Sequence, residues 1–228
     1  MDYVFQFDFI WQSRAELLRG ALLTLRLSAE TMLFGLLLGV LGAWAKTTRR
    51  WLLRGIVQVY VELIRNTLFL VQLLLIYLGL PRLGLRFSPN GAALLAMVVN
   101  LGAYATEIVR AGIEAVPHGQ IEAGRALGLR PWPIFRHIAI MPALQTVFPA
   151  LSSQFILVVL GSSVISTISA EELTAIANNL QSQSFRPFEI YFVVGGIYIA
   201  MALAFQAIFS LLQRAMFPSA RAAADLPI

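Results

Sequence analysis

Two pairs of ionisable residues stand within otherwise apolar stretches, Glu62 with Arg65 and Glu107 with Arg110, each spaced i, i+3. That spacing puts both charges of a pair on one helix face, close enough for mutual neutralisation. An ion at bilayer depth costs at least a few kcal/mol, so such groups pair or line a cavity. At helical periodicity Asn100, Tyr104 and Glu107 fall within about a 60° arc. Gln58, Glu62, Arg65 and Gln72 form a similar stripe on the preceding apolar stretch, and Ser162 and Ser163 add hydroxyls to a later one. These groups suit passage of a polar solute through the membrane. The same residues would also serve to lock helices together or to snorkel at span ends. Nothing accompanies them for covalent or metal chemistry. The chain has no cysteine, which excludes disulfides, thiolate sites and cysteine nucleophiles, and His118 and His137 stand singly in a polar connection. The only lysine, Lys46, lies in no Gly-x-x-x-x-Gly-Lys-Ser/Thr phosphate cradle, so no catalytic residue and no bound cofactor are expected in this chain.

The elements that must position these residues are membrane helices. Hydrophobic residues make up 58% of the 228 and charged residues 13%, about half the charged share of a soluble domain. The length allows about five or six spans of roughly 20 residues with short loops, and the whole chain reads as one transmembrane domain, 1–228. A soluble domain of ordinary size would not fit beside them. Residues 1–19 carry acids among aromatics and lack the basic start and cleavage site of a signal peptide; a short interfacial helix is expected there, with the first span retained. The hydropathy pattern places spans at about 22–45, 56–80, 92–113, 138–168 and 188–213, the fourth bent by Pro142 and Pro149. Gly35, Gly39 and Ala43 make a close-approach ridge on the first span, Ala92, Ala96 and Ala103 one on the third, and Gly195 with Gly196 serve the fifth.

The net charge of +5 invites a nucleic-acid partner, but its distribution writes topology instead. Lys46, Arg49, Arg50 and Arg54 occupy one loop, Arg125, Arg130 and Arg136 another, and Arg214 and Arg221 the tail. Five spans put all three on one side, which the positive-inside rule makes cytoplasmic, with the amino terminus and the polar 169–188 segment outside. Arg82 and Arg86 fall on the other side, against the trend.

The segment 117–142, PHGQIEAGRALGLRPWPIFRHIAIMP, is the most specific. Pro117 and Gly119 end the preceding span, Gln120 to Leu127 form about two helical turns, and Gly128 suits a left-handed cap with Leu129 packed after it. Pro131 and Pro133 force a new helix, which leads through Phe135 and Ile138 into the membrane. A short helix parallel to the membrane results, with a polar Glu-Arg surface and small residues suited to docking in a cleft of another protein.

Here the sequence resembles bacterial ABC importer permeases of the polar amino-acid (histidine, glutamine and arginine) type. Glu122-Ala123-Gly124, Gly128, Ile138 and Pro142 look like their EAA loop. Flanking blocks agree in order: Thr24-Leu25, Leu27-Ser28, YVELIRNT from Tyr60, AYATEIVRAGIEAVPHGQIEAGRALG from Ala103, Pro149-Ala150-Leu151, Phe188-Glu189 and Tyr191. The family pattern is broken at Leu68, usually Pro, by one extra residue between Gly128 and Pro142, and at Leu160-Gly161-Ser162-Ser163-Val164, usually a Lys-Asp-Thr-Ser-Leu-like run. The last change removes charges at mid-membrane. The resemblance implies an all-α inner-membrane subunit that pairs with a second permease, identical or paralogous, two cytoplasmic ATPase subunits binding ATP and magnesium, and an external solute-binding protein. In that reading Glu122 and Arg125 make polar contacts with the ATPase, Ala123 and Gly124 allow its close approach, and Gly128 sets the turn. Glu62, Arg65, Asn100, Tyr104, Glu107, Ser162 and Ser163 are the expected pathway residues for an amino acid. An ATPase-independent transporter or channel is the competing expectation.

Overall fold

A computed structural model of the chain describes residue 5, residues 7–48 and residues 50–217. Arg49 and Arg221, used above to argue orientation, lie outside them. Every regular element among the described residues is a helix, and none is a strand. The order is α1 (Asp8–Gln12), α2 (Arg14–Thr47), α3 (Trp51–Arg65), α4 (Phe69–Leu74), α5 (Pro89–Glu114), α6 (His118–Ala126), the single turn α7 (Pro131–Pro133), α8 (Ile140–Gly161), α9 (Leu173–Ser184) and α10 (Pro187–Met216). A π-helical stretch, Ile134–Ala139, joins α7 to α8, and a 3-10 turn, Ser162–Ile168, extends α8.

Four helices are long and apolar enough to cross a membrane: α2, α5, Ile134–Ile168 and α10. A fifth crossing requires α3 and the Phe69–Leu83 helix to count as one span, and these are bent by 112°. The continuous span expected at 56–80 is therefore broken. Asn66 and Thr67 cause the break: their side chains bond back to the carbonyls of Glu62 (2.8 Å) and Leu63 (2.8 Å), competing with the helical ladder. Leu68 then adopts an extended conformation, φ −69° and ψ 136°. Broken backbone at membrane depth must find partners within the protein. Buried Gln72 supplies them, donating to Ile64 O (2.7 Å), Thr67 Oγ1 (2.8 Å) and Thr67 O (3.2 Å).

The first helix also departs from expectation. Only Asp8–Gln12 is separate, and α2 begins at Arg14 rather than near residue 22. The polar 169–188 segment holds α9, whose first turn is capped by Glu172 through the N–H groups of Thr174 and Ala175, both at 2.8 Å. Glu172 is fully buried and also accepts from Tyr198 Oη at 2.6 Å. Burial pushes its carboxyl above the usual carboxylate range despite those three donors.

The core is built on α2 against α5, the most extensive helix pair in the fold. Gly35, Gly39 and Gly42 form the ridge; Gly42, not Ala43 alone, completes it. A Cβ on Gly39 would lie 3.0 Å from Ala105 C and 3.1 Å from Thr106 N, backbone that cannot yield. Ala92, Ala96 and Ala103 are buried. A Cβ on Gly195 or Gly196 would meet nothing within 4 Å, so among the described residues neither glycine has the packing role expected on the fifth span.

Candidate functional site: a charged vestibule and a neutral cavity at the helix break

Helix α3 is amphipathic. Trp51, Leu52, Ile56, Val59 and Leu63 are exposed on its outer side, and Arg54, Gln58, Glu62 and Arg65 turn toward α2 and α5. Together with Lys46, Tyr104, Glu107, Arg110 and Glu114 they line a vestibule of about 550 Å³. An ion chain runs along its α5 side. Lys46 pairs with Glu107, Arg110 bridges to Glu107 at 2.9 Å, and Arg110 reaches Glu114 at 2.6 Å. Glu107 thus has two cations, one from its own helix and one from α2. Lys46, read from the sequence as a loop residue that sets orientation, stands in the last turn of α2 and is the partner that sequence reasoning missed. Its position at the last turn of an apolar helix, beside a helix carrying an isolated acid, was the available signal.

The pairing expected between Glu62 and Arg65 does not form. Glu62 accepts from Gln58, and the Arg65 guanidinium lies over the Tyr104 ring, 5.6 Å from its centroid. Both belong to one vestibule with Tyr104 and Glu107, so four expected pathway residues converge.

Asn100 lies elsewhere. It lines a second cavity, about 250 Å³, with Thr67, Phe69, Met97, Gln154, Val158 and Gly161; Tyr104 borders both spaces. The side-chain amide of Asn100 donates to Gln72 Oε1 at 2.9 Å, tying α5 to the helix break. No charged side chain lines this cavity. Gly161 leaves its wall open, since a Cβ there would meet nothing within 4 Å. Ser162 and Ser163 do not face it: their hydroxyls bond to Val159 O (2.7 Å) and Leu160 O (2.9 Å) of their own helix.

The short helix of the 117–142 segment is α6. It ends in paired bonds, Leu129 N to Gly124 O at 3.1 Å and Gly128 N to Arg125 O at 2.9 Å, with Gly128 at φ +74°. This left-handed cap is the one expected at Gly128. Glu122 and Ala123 are exposed. Gly124 is not available to a partner: it is buried, and a Cβ there would meet Ile138 Cδ1 at 2.8 Å and Ile134 Cγ1 at 3.2 Å. Its smallness seats α6 on the π-helical turn of its own chain. Arg125 lines an apolar groove, and no ion pair joins it to Glu122 among the described residues.

Residues 35–218 match the family described as the binding-protein-dependent transport system inner membrane component. The chain belongs to this family and is a multi-pass permease subunit of an ABC importer. It is 36% identical over 222 residues to the octopine transport system permease protein OccM of Rhizobium meliloti, covering 93% of this chain and 91% of that one. It is 34% identical over 215 residues to the glutamine transport system permease protein GlnP of Escherichia coli (strain K12), covering 92% and 98%. A solved amino acid ABC transporter with histidines superposes with a TM-score of 0.87 at 35% identity, over 93% of this chain and 100% of that chain. The MetNI methionine ABC transporter shares the fold, with a TM-score of 0.72 at 22% identity.

Proposed function

We propose that this subunit conducts an amino acid, that the neutral cavity at the helix break is where the solute is held, and that the charged vestibule is its exit toward the cytoplasm. The observation that carries the reading is the meeting of a broken helix, uncharged hydrogen-bonding groups and a compensated ion chain inside one apolar bundle. Polar atoms at that depth are stable only where they satisfy one another or meet a polar guest. Asn100, Gln154 and Thr67 offer amide and hydroxyl groups without a fixed charge, which suits a solute whose side chain is polar and neutral. The name of one related permease, which states glutamine transport, supports a solute of this kind.

The chain works as one of two permease subunits in the bacterial inner membrane, amino terminus outside and carboxyl terminus inside. An external binding protein delivers the solute. Cytoplasmic ATPase subunits bind ATP and magnesium and dock on α6, with Glu122 and Ala123 on the docking face and Gly128 fixing the turn that presents it. ATPase closure would move α6 and α8 as a rigid unit.

Co-purification of an ATPase with the tagged chain, followed by reconstitution into vesicles, tests this. Uptake should require ATP, and Gly128→Pro or Glu122→Lys should abolish solute-stimulated hydrolysis while the chain remains inserted. ATP-independent uptake would instead establish a secondary transporter or channel, and wild-type stimulation in both variants would remove α6 as the coupling element.

A further inference from the structure

On the side of α5 away from the vestibule, a groove of about 700 Å³ opens between α2, α5, α6 and the segment that becomes α8. Of its sixteen lining residues fifteen are apolar, and the remaining one is Arg125. Along the segment that becomes α8 its lining residues run from Ile134 to Leu151, on the order of 25 Å of apolar wall at 1.5 Å per residue, the long narrow surface that an acyl chain fills.

The charge at the mouth selects further. Arg125, Arg130 and Arg136 take part in none of the ion pairs among the described residues. Arg125 sits one turn beyond Ile121, so a single face of α6 presents an apolar side chain and a guanidinium to the same groove. Basic pockets between membrane helices attract anionic headgroups. We propose that this groove holds an acyl chain of an anionic phospholipid from the leaflet on the α6 side, with its phosphate at Arg125. The lipid would lie under α6, between that helix and the spans it is attached to.

Because the chain has no cysteine, one introduced at Val109 carries a unique fluorescent label inside the groove. The labelled full chain is reconstituted in vesicles containing brominated phosphatidylglycerol or brominated phosphatidylcholine, and quenching is compared with a label at Leu33, 67% exposed on the outer face of α2. The Val109 label should be quenched preferentially by the anionic phosphatidylglycerol and the Leu33 label by neither lipid over the other. Arg125→Gln should reduce that preference roughly fivefold, the factor one basic residue contributes near an anionic surface, and Arg125→Lys should retain it. Equal quenching at Val109 by both lipids, unchanged in Arg125→Gln, overturns the headgroup assignment. Quenching at Leu33 with none at Val109 overturns the lipid itself and shows the groove covered by protein.

Discussion

Gln72 is the residue on which the broken helix depends. It serves two carbonyls and a hydroxyl on one side of the break and receives Asn100 on the other. Gln72→Leu removes four part-buried hydrogen bonds, each worth about 0.5–1.5 kcal/mol net, and should lower thermal stability more than Asn100→Leu, which removes one. Asn100→Leu should also reduce uptake per folded complex, since Asn100 borders the neutral cavity. Ser163→Val should leave uptake near wild type, because its hydroxyl already serves Leu160. Melting temperature and uptake measured on the same preparations separate the two effects; unchanged uptake in Asn100→Leu would remove that residue from solute contact. Periodicity was enough to group Tyr104 with Glu107, both in the vestibule. It could not show Lys46 reaching Glu107 across 61 residues, because that contact follows from helix packing rather than from spacing.

Among the helices, close approach decides which glycines matter. Gly39→Ala forces α2 away from the α5 backbone and should cost about 1–3 kcal/mol, read as a lower melting temperature in detergent. Gly195→Ala, with open space around it, should be neutral or slightly stabilising, since alanine is the better helix former. Equal losses in both would show that α10 is packed by a partner at Gly195. The long apolar helices α5 and α10 were legible to within a few residues, because a crossing segment announces itself by length and hydropathy. The break at Asn66–Leu68 was not. Hydropathy averages across Asn66 and Thr67, whose side chains capture backbone carbonyls, and Asn-Thr in an apolar run looks like any polar pair. Helix α9 was missed for a related reason: its cap is a buried Glu172, a residue type read as solvent-facing.

For the molecule as a whole, topology turns on whether the bent α3–α4 pair crosses the membrane. Thr47 and Phe87 flank it, and Gly119 and Ser182 flank the segment containing α8. Single cysteines at these positions should react with an impermeant thiol reagent outside intact cells at Phe87 and Ser182, and should be protected at Thr47 and Gly119. Thr47 and Phe87 labelling from the same side would make the bent pair re-entrant. Reversal of all four would invert the orientation.

The ion pair of Lys46 has a consequence for covalent labelling. It is the sole side-chain amine in the sequence, and it sits 8% exposed against Glu107 at the vestibule wall. An acylating reagent therefore has a single internal target, shielded while the salt bridge is closed. Mass gained at that one position would time how often the vestibule loosens, so the chain carries a built-in reporter of its own breathing.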